Sequence, residues 1–165
     1  MAADRMRQLL ATAQSNLRES GALLPVLLVE GAGESALVGF QEFGRTAEER
    51  QALFFAVGSR LAHMRPRRIT AVLDAYWKAD NVELPLARSL ADDPAAEECI
   101  VVVSLDKRGR SRLLVCPYER HPRLEGLEVE FKGVKEFSGG GEAYLLQAFF
   151  EGVAAAASKQ GWREP

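Results

Sequence analysis

The chain has 165 residues, of which 47% are hydrophobic and 27% are charged, and its formal net charge is −2. This size and balance predict one packed domain over residues 1–165, and they exclude disordered, collagen-like and coiled-coil proteins. A slightly acidic chain lacks the overall positive charge of a dedicated nucleic-acid binder, although a local basic patch is compatible with it.

The first part of the chain predicts one helix and one hairpin. Apolar residues at helical spacing end at Ser20-Gly21, and two apolar runs then flank the glycine-containing turn from Glu30 to Glu34. Pro25 has no backbone donor, so the first strand is expected either at a sheet edge or with Pro25 at its start. The segment MAADRMRQLLATAQSNLRESG has no apolar stretch that suits a signal peptide or a membrane span. We therefore expect a cytoplasmic protein without membrane contact.

The next segment predicts a helix followed by a strand. Thr46 and Glu49 have the spacing of a capping box, and the helix that they begin is expected to end before Pro66. The run RITAVLDAYWK alternates with the period of a strand. This alternation places Asp74 on the face opposite Trp77.

Three further strands are predicted in the second half of the chain. CIVVVSL is apolar on both faces, which is typical of a central strand, and the turn-forming residues Asp106 to Gly109 connect it to RLLVCPY. GLEVEFK alternates as a half-exposed strand near an edge does. Cys99 and Cys116 lie in apolar runs, so we predict that both are buried and reduced.

The last helix, EAYLLQAFFEGVAAAASKQ, is apolar around most of its circumference and must be buried on more than one side. It either forms the seam of a homodimer or lies between the sheet and the first helix. The dimer seam would use Tyr144, Leu145, Phe149 and Phe150. The complete order, α-β-β-α-β-β-β-β-α, predicts a single layered α+β domain with three helices and a mostly antiparallel or mixed sheet of about six strands.

The segment RSLADDPAAEE, residues 88–98, gathers four carboxylates and an arginine. One interpretation is a solvated connector, in which Asp93 caps a helical turn that starts at Pro94. The other is a site in which Asp92, Asp93 and Glu97 approach Asp74 and either raise the pKa of one carboxyl or hold a divalent cation through oxygen ligands. The candidate residues for that site are Asp74, Arg88, Asp92, Asp93 and Glu97.

The middle third of the chain resembles an uncharacterised family of small bacterial and phage-borne α+β proteins. The resemblance is carried by DAYW at the end of a strand, by the acidic connector and by the strand-turn-strand VVVSLDKRGRSRLLV. The matching connector positions are Arg88, Ser89, Asp92, Asp93, Pro94 and Glu97. The resemblance implies an α+β fold and no particular activity.

Two arginine-rich loops form a basic face if they meet at one end of the sheet. The residues are Arg65, Arg67, Arg68, Lys107, Arg108 and Arg110. Neither histidine has the neighbours of a catalytic triad, and no cofactor motif is present. The sequence therefore favours a cytoplasmic interaction or accessory module without catalytic activity. A metal-assisted hydrolase that uses the carboxylates is the alternative, and a weak nucleic-acid binder is the third interpretation.

Overall fold

The computed structural model describes residues 2–78, 81–83, 96–124, 126–138 and 143–159. Three α-helices lie in these ranges: α1 (Ala2–Ser20), α2 (Ala47–Arg60) and α3 (Ala143–Lys159). A short 3₁₀ helix, Ala62–Met64, follows α2. The strands are β1 (Val26–Glu30), β2 (Ser35–Gly39), β3 (Arg68–Lys78), β4 (Asn81–Glu83), β5 (Glu97–Asp106), β6 (Ser111–Arg123), β7 (Gly126–Phe131) and β8 (Lys135–Ser138).

The strands form one antiparallel sheet in the order β2-β1-β3-β5-β6-β7. Two strands each pair with two shorter strands along the same edge. β3 pairs with β1 and then with β4, and β6 pairs with β8 and then with β7. Pro117 lies where the partner of β6 changes, since β7 ends opposite Tyr118 and β8 begins opposite Val115. A residue without an N–H is tolerated there because it is not needed as a ladder donor at the break.

Helices cover the sheet on both faces. One face packs against α2 and α3, with Leu73, Val101 and Phe149 at its centre, and the other packs against α1, with Leu17, Ile100 and Leu114 at its centre. The alternation of β3 and β5 therefore decides which layer each side chain enters. Residues with odd numbers in these two strands face α2 and α3, and those with even numbers face α1.

The α+β class, the three helices and the antiparallel sheet confirm the fold expected from the sequence. β1 begins immediately after Pro25 and lies inside the sheet, so the second of the two expectations for Pro25 is confirmed. The capping box at Thr46 is also present, with the Thr46 side chain accepting from the Glu49 N–H. Strands β4 and β8 are additions to the six that the periodicity predicts, because three- and four-residue strands are too short to show a period.

The last helix packs against α2, and not against the first helix as the sequence suggested. α3 packs on α2 and the sheet, whereas α1 lies on the opposite face of the sheet. The expectation that the last helix lies between the sheet and the first helix is therefore wrong. Leu145 and Phe149 are fully buried inside one chain, and Tyr144 and Phe150 are partly buried against the same core. The apolar circumference of α3 is thus covered within the chain, and the homodimer stays a prediction.

Two glycines let α2 and α3 approach each other closely. A methyl group on Gly58 of α2 would overlap the carbonyl oxygen of Phe149, and one on Gly152 of α3 would overlap the carbonyl oxygen of Phe55. The backbones therefore touch at the crossing of the helices. In the part of the chain that the structure describes, none of the helices has the length and apolar character that a membrane span requires.

Candidate functional site

Asp74 occupies a gap along one edge of β3. β1 pairs with β3 as far as Val72, and β4 pairs with it from Tyr76 onwards. Asp74 lies between these two partners, on the face that packs against α1. Its side chain is half-buried, and β5 pairs with β3 along the other edge.

Four side chains form one hydrogen-bonded group at this position, which we call the carboxylate–tyrosine cluster: Asp74, Glu98, Tyr118 and Arg120. The Tyr118 hydroxyl oxygen lies 2.9 Å from Oδ1 of Asp74 and 2.6 Å from Oε2 of Glu98. The Arg120 guanidinium lies against Glu98, with Nε at 3.2 Å from Oε1. The register explains the meeting, since Asp74 pairs with Ile100, Glu98 with Tyr118, and all four side chains lie on the same face.

The cluster also contacts the end of α1. Nη1 of Arg120 donates to the carbonyl oxygen of Gly21 at 2.6 Å, and Nη2 lies 3.3 Å from the Tyr118 hydroxyl. Arg120 thus joins the sheet to the turn that follows the helix. A cation is favourable at this place because carbonyl groups give the C-terminal end of a helix a partial negative charge.

The electrostatics of the cluster are unusual for an aspartate. Burial raises the pKa of Asp74 from 3.8 to about 6, and the negative charge of Glu98 adds to the rise, whereas the Tyr118 hydrogen bond and Arg120 act in the opposite direction. Burial and the adjacent Asp74 also raise the pKa of Tyr118, which keeps its proton. Asp74 is therefore the group in this cluster that gains and loses a proton under mild conditions.

Only part of the predicted carboxylate site is assembled in the structure. Asp74 does meet a carboxylate, but this is Glu98, while Glu97 points to the other face of the sheet and pairs with Lys132 at 2.9 Å. Glu97 and Glu98 are adjacent in β5 and therefore face opposite sides of the sheet. Because Glu98 shares the face of Asp74, Glu97 cannot share a ligand with Asp74. Arg88, Asp92 and Asp93 lie outside the described residues, as does the predicted cap at Asp93-Pro94.

Sequence reasoning missed Glu98, Tyr118 and Arg120. The sequence places Glu98 in the connector, whereas β5 begins one residue earlier at Glu97. The strand predicted over RLLVCPY ends at Tyr118, whereas β6 continues to Arg123. Pro117 and Pro122 lie in this strand, and proline is untypical of a strand interior. The alternation of Cys116, Tyr118 and Arg120 on one face was the available signal.

A second group of polar side chains is the basic cleft at the opposite end of the sheet. Its volume is about 550 Å³, and it is lined by Glu30, Gly31, Arg67, Arg68, Asp106, Lys107, Arg108 and Arg110. The loops before β3 and after β5 meet there, because the Lys107 N–H donates to the Arg67 carbonyl at 2.9 Å. The condition that the sequence sets for a basic face, a meeting of the two arginine-rich loops, is thus met, but Arg65 does not line the cleft.

Both carboxylates of the cleft already have partners. Glu30 pairs with Arg5 at 3.0 Å, and Asp106 pairs with Arg110 at 2.7 Å. Desolvation of Asp106 is outweighed by hydrogen bonds from the backbone and side chain of Arg110 and from the Arg108 N–H, so the pKa of Asp106 is lowered. Among the residues that the structure describes, no ion pair is found for Arg67, Arg68, Lys107 and Arg108. These four side chains give the cleft its excess positive charge.

A third group lies on the outer strands. The ligand atoms of Glu119, His121 and Glu130 lie within 4.8 Å of one another, which is compatible with a metal ion. However, Nε2 of His121 is 3.0 Å from Glu130, and Lys132 lies 3.1 Å from Glu119. Cross-strand polar contacts on the surface account for this group.

Comparison of the chain with protein-family models, with curated proteins and with solved structures finds no match. The resemblance to the small bacterial and phage-borne family stays a prediction.

Proposed function

We propose that the protein is a non-catalytic interaction module that binds the phosphate backbone of a nucleic acid in its basic cleft. The observation that supports this proposal is the meeting of two loops that bring five cationic side chains to one cleft, where both carboxylates are already paired. Phosphate contacts by arginine and lysine supply most of the affinity in sequence-independent binding.

The residues that line the cleft favour contacts with phosphates over contacts with bases. None of the lining residues is aromatic, so bases have no ring on which to stack. Arginine, by contrast, can present two parallel N–H groups to two phosphate oxygens. The proposal is therefore binding without base readout, with weak affinity because the chain as a whole is slightly acidic.

The geometry supports the other interpretations less well. The hydrolase that the sequence analysis considered needs Asp74 and Glu97 in one ligand set, and these residues lie on opposite faces of the sheet. The two cysteines are free and buried, which is compatible with a reducing compartment, and a cytoplasmic location is part of the proposal.

The test is binding of a short fluorescent oligonucleotide, measured by anisotropy at several salt concentrations. The double variant Arg67→Ala/Lys107→Ala should weaken binding at least about tenfold and lower the salt slope by about 2, because two phosphate contacts are lost. The matched control is Arg45→Ala/Arg123→Ala, which removes the same charge from exposed residues that do not line the cleft.

The control should bind like the wild type. Equal losses in both double variants would mean that only net charge matters, and they would overturn the proposal. So would absence of binding by the wild type at low salt.

A further inference from the structure

The carboxylate–tyrosine cluster has more hydrogen-bond acceptors than its hydroxyl proton can serve. The Tyr118 oxygen is within hydrogen-bond distance of Asp74, at 2.9 Å, and of Glu98, at 2.6 Å. A phenol donates one proton only. The two short contacts are both satisfied when a second proton is present, and the half-buried carboxyl of Asp74 is the group that can hold it.

With that proton the cluster becomes one continuous chain of donors. Asp74 donates to the Tyr118 oxygen, Tyr118 donates to Glu98, and Arg120 donates both to Glu98 and to the Gly21 carbonyl. The formal charges of Glu98 and Arg120 then cancel. Without the proton, the cluster has one net negative charge and one oxygen–oxygen contact without a hydrogen.

Arg120 joins the cluster to the C-terminal end of a helix. Gly21 follows the last residue of α1, and its N–H donates to the Leu17 carbonyl at 2.9 Å. Carbonyl oxygens at a helix C-terminus repel an anion and attract a cation. Arg120 contacts Glu98, the Tyr118 hydroxyl and the Gly21 carbonyl, so a shift of the Tyr118 or Glu98 side chain after proton loss reaches the turn.

The other groups on this face do not replace Arg120. Tyr76 of β3 shares the face, β7 contributes the uncharged Val129 and Phe131, and Arg18 of α1 lies over the Phe131 ring at 4.7 Å from its centroid. Among the described residues, Glu98 and Arg120 are the charged side chains that act on Asp74. The charge of the cluster is thus decided by the proton on Asp74.

We propose that Asp74, Tyr118 and Glu98 form a proton-operated latch that, through Arg120, fixes the end of α1 and the turn over residues 20–24. The latch is closed when Asp74 carries its proton and loosens when the proton is lost. The turn also forms one wall of an apolar groove of about 350 Å³ between α1 and the β1–β2 hairpin, where Ser20, Ala22, Leu23 and Leu24 line it. Proton loss would therefore change the order of that wall.

The experiment is amide hydrogen exchange of the wild-type chain between pH 5 and pH 8, corrected for the intrinsic pH dependence of exchange. Protection of the Gly21 to Leu24 amides should fall by up to about tenfold across this range, because opening becomes linked to proton loss. The change should be centred near pH 6, where burial sets the pKa of Asp74. A carboxyl ¹³C titration of wild-type Asp74 provides the same midpoint without any substitution.

Two variants separate the latch from general effects of pH. Asp74→Asn keeps a donor toward Tyr118 but has no charge, so it should keep the turn protected at every pH. Glu128→Gln alters an exposed carboxylate of β7 and should leave the midpoint unchanged. The proposal is overturned if the wild-type turn shows no step near pH 6, if Asp74→Asn shows the same step, or if Asp74 titrates near its ordinary value of 3.8.

Discussion

At the scale of single residues, the feature that sets this protein apart is an aspartate that is half-buried beside a second carboxylate. Asp74 has its pKa raised to about 6 chiefly by burial, and its proton completes the hydrogen bonding of Tyr118. Between pH 4 and pH 6 the folded chain holds this proton, whereas the unfolded chain has lost it. The folded state thus binds more protons, and stability must fall as the pH rises through this window.

This linkage predicts how Asp74→Asn changes stability with pH. The variant cannot lose a proton at this position, so the difference in free energy of unfolding should shift by about 2 kcal/mol in favour of the variant between pH 4 and pH 7. Chemical denaturation at several pH values measures this difference. Glu128→Gln is the control, and its difference from the wild type should stay constant. A difference that is equally constant for Asp74→Asn would show that Asp74 titrates normally.

At the scale of secondary-structure elements, the crossing of α2 and α3 depends on the absence of two side chains. Gly58 and Gly152 each face a backbone carbonyl of the partner helix at a distance that leaves no room for a methyl group. Such a crossing holds the two helices together over the centre of the sheet. Glycine in a helix is about 1 kcal/mol less favourable than alanine, so at Gly58 and Gly152 helix propensity and close packing favour different residues.

The crossing predicts the sign of a substitution that usually stabilises helices. Gly58→Ala should lower the free energy of unfolding by about 2 kcal/mol or more, because the helices must move apart, although alanine has the higher helix propensity. Gly33→Ala is the control, since a methyl group there meets no atom within 4 Å. Thermal and urea unfolding check both variants. A neutral or stabilising Gly58→Ala would mean that the helices are farther apart than described.

Sequence periodicity predicted the elements but not the pairing that builds the cluster. The alternation of β3 placed Asp74 opposite Trp77, and this is correct because a strand fixes the face of every second residue. Which carboxylate meets Asp74 depends on the register with β5, where a shift of one residue exchanges Glu97 for Glu98. Pro117 and Pro122 concealed the length of β6, since proline in a central strand is tolerated only where no donor is needed.

At the scale of the whole molecule, charge is distributed between the two ends of the sheet. The basic cleft lies where β3 and β6 begin and β5 ends, and the carboxylate–tyrosine cluster lies where β3 ends and β5 begins. A net charge of −2 therefore conceals a cleft with excess positive charge and a cluster whose charge depends on the proton of Asp74. Composition predicts the sum of the charges, whereas the antiparallel order of the strands determines their separation.

The two helical layers can also be distinguished by the cysteines. Cys99 faces α2 and α3, and Cys116 faces α1, although the two lie in neighbouring strands and both are fully buried. Their burial confirms the sequence-based expectation. The side chain of Gln14 in α1 lies 3.4 Å from the Cys116 sulfur, so that α1 covers this thiol directly.

This arrangement predicts unequal labelling by a thiol reagent. α1 is the only helix on its face among the described residues, so its detachment exposes Cys116 while Cys99 stays covered by the two crossed helices. Both thiols should react far more slowly than in denatured protein, and Cys116 should react before Cys99. Burial raises the pKa of Cys116, which slows its reaction, so an earlier reaction must come from opening of α1. Mass spectrometry of partly labelled protein gives the order. Rapid labelling of both thiols in the native state would contradict their burial, and equal slow rates would mean that the two layers open together.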